Sequence, residues 1–260
     1  MKIAVIGNSH LAALKLAVRD NLFSSGTLDV VFWGLPGPEF RSITYNNGRF
    51  QTPHKTLPLI ISDGRYESLP AYDFDAIVFH GMVLNLSDYL FSLRKSSDGL
   101  LCYSSAFLRD GLRACIEQAP SWNLVRSLRA DYDRRVLMSC MPLKSEDSGQ
   151  FQGLSITADD SNLLNSYISA ILSDIRVEYV PQPSDTICDH KYTKREFCVH
   201  SVRLAAKLSC EHPADDHIHM NKQYGERVLR DIAVKLGATS ETTLTPNATQ
   251  NEGNVAVSQD

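Results

Sequence analysis

Residues 2–10 read Lys-Ile-Ala-Val-Ile-Gly-Asn-Ser-His, and they predict a buried strand that ends in a polar turn. The apolar run over residues 3–6 shows no alternation, which is typical of a strand covered on both faces of a parallel sheet. Gly7, Asn8 and Ser9 are turn residues, and the Ala- and Leu-rich stretch after them predicts a helix. A strand, a turn and a helix in this order indicate an α/β domain.

Four further apolar runs predict strands, and helical segments separate the later ones. Because strands that alternate with helices form mainly parallel sheets, we expect five strands covered by helices on both faces. The predicted strands cover residues 2–6, 28–33, 75–79, 135–141 and 176–180, and the predicted later helices cover residues 87–95, 105–118, 121–130, 159–174 and 221–236.

Two segments depart from this alternation. Residues 36–70 contain Asn47-Gly48 between two short β-like runs, which predicts a hairpin. We expect this insertion to form a flap or a partner surface outside the main sheet. Residues 237–260 are rich in Thr, Ser, Asn and Gln and lack periodicity, so we expect a disordered polar tail after a domain that covers residues 1–236.

Composition excludes several classes of protein. The chain has 260 residues, with 26 Lys and Arg against 30 Asp and Glu, and the resulting net charge of −4 disfavours nucleic-acid binding. No apolar run approaches the roughly 20 residues of a membrane span, and Asn8 ends the first one too early for a signal peptide. Six dispersed cysteines do not resemble a disulfide scaffold. We therefore expect a cytoplasmic protein.

Ser9 is the first candidate for chemistry. It follows the first strand directly, at the sheet edge where open α/β folds bind ligands. A serine at a helix N-terminus can attack a carbonyl carbon, and its own N–H can stabilise the resulting oxyanion. Serine is also a favoured N-cap, so the sequence leaves open that Ser9 only caps the helix.

A second group of polar residues lies near the other end of the chain, just before the last predicted helix. Asp216 and His219 are three residues apart, a spacing at which two side chains can meet in a turn or a helical start. An aspartate there fixes the imidazole tautomer and leaves Nε2 free as the base that a serine nucleophile needs. The alternative is a polar loop in which Asn221 caps the helix.

These two motifs resemble the SGNH/GDSL hydrolase superfamily. Residues 7–10 match its first motif except that Asn8 stands where the family usually has aspartate, and Asp216-x-x-His219 matches its last. The resemblance implies a three-layer α/β/α sandwich with a flavodoxin-like sheet. It also implies an ester hydrolase with Ser9, Asp216 and His219 as the catalytic residues.

The same resemblance implies an oxyanion hole that combines the Ser9 N–H with one glycine and one asparagine. Gly34 ends the second predicted strand, although it can also be a plain turn glycine. The family usually has Gly-x-Asn after the third strand, whereas here the asparagine comes two positions late, at Asn85, where it can equally cap a helix. His10 and His80 are candidates for contacting substrate.

The sequence predicts neither a metal nor a cofactor. Cys-x-His pairs occur at residues 188–190, 198–200 and 210–212, but zinc sites usually use longer ligand spacings. Residues 7–10 lack the Gly-x-Gly-x-x-Gly series of a dinucleotide turn.

The combined motifs predict a serine esterase that cleaves an O-acyl ester, on a carbohydrate or a small metabolite if the family resemblance holds. An acyltransferase that uses the same serine is one alternative. A catalytically inactive α/β binding module is the other. The expected partner is a small-molecule or glycan ester, without nucleic acid or membrane.

Overall fold

The computed structural model describes residues 1–24, 26–81, 89, 103–205 and 208–238. Strands and helices alternate along most of these residues, as the sequence predicts. In chain order the strands are β1 (Lys2–Gly7), β2 (Asp29–Gly34), β3 (Thr44–Asn46), β4 (Arg49–Gln51), β5 (Leu69–Pro70), β6 (Ala76–His80), β7 (Arg135–Ser139), β8 (Glu178–Val180), β9 (Ile187–Cys188) and β10 (Tyr192–Thr193), and the α-helices are α1 (Leu11–Arg19), α2 (Thr56–Ile61), α3 (Ser105–Glu117), α4 (Pro120–Arg129), α5 (Ala158–Ser173) and α6 (Lys222–Leu236).

Five strands form the main sheet in the order β2-β1-β6-β7-β8, and every neighbouring pair is parallel. Numbered along the chain, this is the 2-1-3-4-5 order of flavodoxin-like folds. The predicted fold class is therefore confirmed. The chain leaves β1 toward β2 on one side and continues with β6 on the other, so the end of β1 is the topological switch point where such sheets bind ligands.

Helices cover both faces of this sheet. Ile3 and Val5 of β1 belong to a core cluster with α1 and α6, whereas Ala4 and Ile6 belong to a second cluster with α3, α4 and α5. Alternate residues of one buried strand thus point into two cores, which explains its uninterrupted apolar run. Over the residues that the structure describes, no helix is both long enough and apolar enough to cross a membrane.

The insertion over residues 36–70 contains the predicted hairpin. β3 and β4 pair antiparallel around Asn47 and Gly48, and β5 adds a third short strand. Phe50 of β4 is fully buried, and its ring centroid lies 6.2 Å from that of Trp33 and 6.0 Å from that of Phe79. The segment expected to form a flap therefore packs its inner face against the main sheet.

Two of the predicted segments cannot be compared with the structure. The helix predicted over residues 87–95 lies outside the described residues except for Tyr89, and so does most of the predicted tail. The other later helices begin and end within one or two residues of the prediction. Asn221 caps α6, since its side-chain oxygen accepts hydrogen bonds from the backbone N–H groups of Gln223 and Tyr224.

Helices α1 and α6 pack closely against each other on one face of the sheet. Gly225 makes this approach possible, because a Cβ atom at that position would lie 2.2 Å from the carbonyl oxygen of Ala13. The contact brings the segment before α1 and the segment before α6 to the same end of the sheet, although these segments stand at opposite ends of the described chain.

We expect Gly225→Ala to lower the free energy of unfolding by about 1–3 kcal/mol, because the new methyl group must push the two helices apart. Gly111 of α3 is the matched control, since a Cβ there would meet nothing closer than 3.4 Å. Gly111→Ala should leave stability unchanged or raise it by about 0.5–1 kcal/mol. Denaturant unfolding of both variants measures the difference, and equal stabilities would contradict the close-packing argument.

Candidate active site

Ser9 lies in the turn between β1 and α1, at the switch point of the sheet. Helix α1 begins at Leu11, and the residue at its N-cap position is His10, which makes no side-chain capping hydrogen bond. The Ser9 hydroxyl is directed elsewhere: its Oγ lies 2.9 Å from Nε2 of His219. The capping alternative for Ser9 therefore does not describe the structure.

The loop before α6 brings Asp216 and His219 together. Oδ2 of Asp216 lies 2.9 Å from Nδ1 of His219. Oδ1 accepts two backbone hydrogen bonds, from the N–H groups of Ile218 and His219, each at 2.9 Å. Both oxygens of the carboxylate are therefore engaged. The structure thus joins Ser9, His219 and Asp216 in one hydrogen-bonded series.

The charge of Asp216 fixes the tautomer of His219. Burial raises the pKa of Asp216, but hydrogen bonds from the backbone and side chain of His219 and from the backbone of Ile218 outweigh it and lower the pKa to about 2. The carboxylate is therefore ionised at neutral pH and can only accept. Nδ1 of His219 must donate, which leaves Nε2 to accept the proton of the Ser9 hydroxyl.

His212 is a fourth residue beside Ser9, His219 and Asp216, and it is not among the site residues that the sequence predicts. Its ring stacks on that of His219, with centroids 3.9 Å apart and an interplanar angle of 6°. Its Nδ1 lies 3.2 Å from Oδ2 of Asp216. The four-residue spacing between His212 and Asp216 is compatible with this contact, but spacing alone does not predict it.

The donor atoms of His212, Asp216 and His219 all lie within 4.8 Å of one another, close enough to be considered as metal ligands. An imidazole binds a metal along a lone pair in the plane of its ring. Two parallel rings 3.9 Å apart cannot both direct such lone pairs at one ion. In this arrangement the group suits stacking and hydrogen bonding better than metal coordination.

His10 and His80 lie beneath the site rather than at its surface. They are 5% and 1% exposed, so their burial favours a supporting role over direct contact with substrate. Burial lowers the pKa of His80 to about 3, and burial together with His219 and His80 lowers the pKa of His10 well below its usual range. Nδ1 of His80 lies 2.7 Å from Oγ of Ser139 at the end of β7. Both buried histidines are thus neutral at physiological pH.

Of the three candidate oxyanion donors, the structure describes Ser9 and Gly34 but not Asn85. Gly34 ends β2 directly beside Gly7, and a Cβ at position 34 would lie 1.9 Å from the carbonyl oxygen of Gly7, so only glycine allows this approach. The backbone N–H groups of Ser9 and Gly34 therefore belong to the same edge of the sheet. Asn85 lies outside the described residues.

Asn8 has a defined role next to the serine. Its side-chain nitrogen donates to the carbonyl oxygen of Gly81, at 2.9 Å, and its side-chain oxygen accepts from the backbone N–H of His10, at 3.1 Å. The amide thus ties the turn after β1 to the turn after β6. Aspartate, which the related motif usually has here, can reproduce only the second of these hydrogen bonds when it is ionised.

No family model matches the chain, and no curated protein matches it. Among solved structures, it is similar to a protein from Streptococcus pneumonia described as a platelet activating factor, with 14% identity, a TM-score of 0.40, and coverage of 90% of this chain and 83% of that one. A protein from Bacteroides fragilis described as an acylhydrolase has 12% identity and a TM-score of 0.40, with coverage of 91% of this chain and 85% of that one. A carbohydrate acetylesterase family member from Sinorhizobium meliloti has 12% identity and a TM-score of 0.37, with coverage of 91% of this chain and 100% of that one. Because these identities and TM-scores are low, the chemistry of this chain has to be argued from the geometry of its own site.

We expect Asn8→Asp to destabilise the protein by about 1–3 kcal/mol at pH 7, because it removes the donor to Gly81 and places a negative charge beside a carbonyl oxygen. The acceptor for the N–H of His10 is kept, so the expected loss combines the missing donor with the added charge at the contact with Gly81. Denaturant unfolding at pH 7 measures the change. Wild-type stability of Asn8→Asp would contradict a stabilising contact between the Asn8 amide and the carbonyl oxygen of Gly81.

Stability should fall in mild acid because folded His80 does not accept a proton. Its pKa is about 3 in the fold against 6.5 ordinarily, so below pH 6.5 the unfolded chain binds a proton that the folded chain refuses. The unfavourable contribution of His80 is negligible above about pH 7.5 and reaches about 2 kcal/mol at pH 5. His80→Asn, whose amide can still reach Ser139, should therefore lose about 2 kcal/mol less stability than the wild type between pH 7.5 and pH 5.

Urea unfolding at both pH values measures this change, with His54→Asn at an exposed histidine as the control. The control should retain the pH dependence of the wild type. If His80→Asn retains it as well, burial of a neutral His80 is not its source.

Proposed function

We propose that the protein is a serine ester hydrolase. The observation that carries this proposal is the hydrogen-bonded series from Asp216 through His219 to Ser9, with distances of 2.9 Å at each side-chain step. An ionised carboxylate, an imidazole held in one tautomer and a hydroxyl at the free ring nitrogen are the parts that acyl transfer to serine requires. A binding module without catalytic activity would not require a carboxylate, an imidazole and a hydroxyl in this hydrogen-bonded series.

The first half of the proposed reaction acylates the serine. Oγ of Ser9 attacks the ester carbonyl carbon while Nε2 of His219 accepts the hydroxyl proton. The charge that forms on His219 faces the carboxylate of Asp216. The N–H groups of Ser9 and Gly34 are the proposed donors to the oxyanion, with Asn85 as a third candidate. His219 then gives its proton to the leaving alcohol as the tetrahedral intermediate collapses.

The second half repeats these steps with water. His219 takes a proton from a water molecule, the resulting hydroxide attacks the acyl carbon, and collapse of the intermediate returns the proton to Oγ of Ser9. One carboxylic acid and one alcohol are released, and the enzyme is unchanged. If a second alcohol enters instead of water, the same site acts as an acyltransferase.

The resemblance of residues 7–10 and of Asp216-x-x-His219 to SGNH hydrolases points to an O-acyl ester as substrate. Short acyl groups on a carbohydrate or a small metabolite are therefore the first compounds to test. Candidate acceptor sugars are added in a second series, and faster acyl loss in their presence would favour the transferase.

We expect the wild-type protein to react with a fluorophosphonate probe and to hydrolyse p-nitrophenyl acetate. Ser9→Ala should not be labelled, and its turnover should fall by about 10³-fold or more, because the nucleophile is absent. Ser166→Ala, at an exposed serine of α5, is the matched control and should behave as the wild type. Equal labelling and equal turnover of all three proteins would exclude Ser9 as the nucleophile.

A further inference from the structure

His212 makes the closest ring contact of His219. The two imidazoles are nearly parallel, 3.9 Å apart between centroids, whereas the ring of His10 lies 5.2 Å from His219 at an angle of 28°. The His212 side chain is 11% exposed, and its Nε2 is buried without a hydrogen bond of normal geometry, although the backbone of Val202 is near enough to raise its pKa. Burying an imidazole whose hydrogen bonds are incomplete is costly, so the position of His212 needs a physical explanation.

His219 has to hold two hydrogen bonds at once, to Asp216 through Nδ1 and to Ser9 through Nε2. Both hydrogen bonds lie in the plane of the ring, and they oppose a tilt of the ring out of this plane less than a contact on its face does. A flat ring packed on its face opposes that tilt. The stacked His212, which is closer and more nearly parallel than His10, therefore supplies the main restraint on the ring face.

A hydrogen bond to Asp216 explains the position of His212 less well than stacking on His219 does. Oδ2 of Asp216 lies 2.9 Å from Nδ1 of His219 with hydrogen-bond geometry, whereas Nδ1 of His212 lies 3.2 Å from the same oxygen without that geometry. Two parallel rings 3.9 Å apart cannot both direct an N–H at one atom, so His212 approaches Asp216 closely without forming a second directed hydrogen bond.

The charge state of His212 also suits a stacked neighbour. Burial, and then the proximity of His219, lower the pKa of His212. Asp216 and Arg203 act on it in opposite directions, the carboxylate raising and the guanidinium lowering that pKa. A neutral imidazole can lie against the imidazolium that forms on His219 without repelling it.

We propose that His212 is a positioning residue that holds the ring of His219 by stacking. This inference rests on the proposed hydrolase function and assigns a fourth residue to its site. His212 acts through His219 and does not touch the reacting atoms. The property that matters is a flat ring at position 212, so another aromatic residue should replace it and a small residue should not.

The variants His212→Phe and His212→Ala separate these properties, since phenylalanine keeps the flat ring and alanine removes it. With p-nitrophenyl acetate we expect His212→Ala to lower kcat about tenfold, with KM within about twofold of wild type, as expected from the loss of one stacked pair. His212→Phe should retain kcat within about threefold. His54→Ala and His54→Phe, at an exposed histidine, are the controls and should leave both constants unchanged.

A proton NMR measurement provides a readout that does not depend on turnover. The Nδ1 proton of His219, hydrogen-bonded to Asp216, should give a low-field resonance that disappears in His219→Gln. It should persist in His212→Phe and broaden or disappear in His212→Ala, where the looser ring exchanges its proton with water. Backbone spectra of the same samples show whether each variant is folded.

The outcomes separate this inference from the proposed function. If the wild type neither reacts with the fluorophosphonate nor hydrolyses the ester, the hydrolase proposal fails, and the NMR comparison still reports whether His212 holds His219. If His212→Ala matches the wild type in kcat and in the resonance, the positioning role is wrong. It is equally wrong if a folded His212→Phe is as impaired as His212→Ala.

Discussion

The candidate site depends on the contact between helices α1 and α6. Ser9 precedes one helix and His219 precedes the other, and 210 positions of sequence separate the two side chains that meet at 2.9 Å. A distance of this kind tolerates little movement, because a hydroxyl and an imidazole interact only within hydrogen-bond reach. Gly225 lets the helices approach until the Ala13 carbonyl occupies the space of a missing side chain. Helix packing in the core is therefore a condition for the geometry at the sheet edge.

The electrostatics of the site follow from burial as much as from charge. His10 and His212 stack on His219, and His80 lies near His10. Burial is the largest cause that lowers the pKa of each of these three histidines. Asp216 remains ionised because backbone N–H groups offset its desolvation. A positive charge that forms on His219 therefore faces one anion and no competing imidazolium. An exposed cluster of the same residues would titrate together and lose this asymmetry.

The sequence predicts those structural features that depend on the pattern of residues close together in the chain. Each of the five strands of the main sheet contains a short apolar run, and the hairpin follows from Asn47-Gly48. The sequence does not predict features that depend on the path of loops. Stacking of His212 on His219 requires a particular course for the residues around Pro213, which no spacing rule contains. The burial of Phe50 between Trp33 and Phe79 likewise depends on how the hairpin folds back onto the sheet.

A site that draws two of its residues from a loop needs that loop to be rigid, and Asn221 supplies much of the rigidity. Its side-chain oxygen caps α6, while its side-chain nitrogen donates to the carbonyl oxygens of Glu196 and Val199, at 2.7 and 3.0 Å. Its backbone N–H donates to the carbonyl oxygen of Phe197. This one residue thus joins the start of the helix to a neighbouring turn.

His219 stands two positions earlier, so its backbone is fixed from the helix side just as its ring is fixed by Asp216. The residue that explains the beginning of α6 as a plain helix cap therefore also supports the chemistry, and the two explanations do not compete.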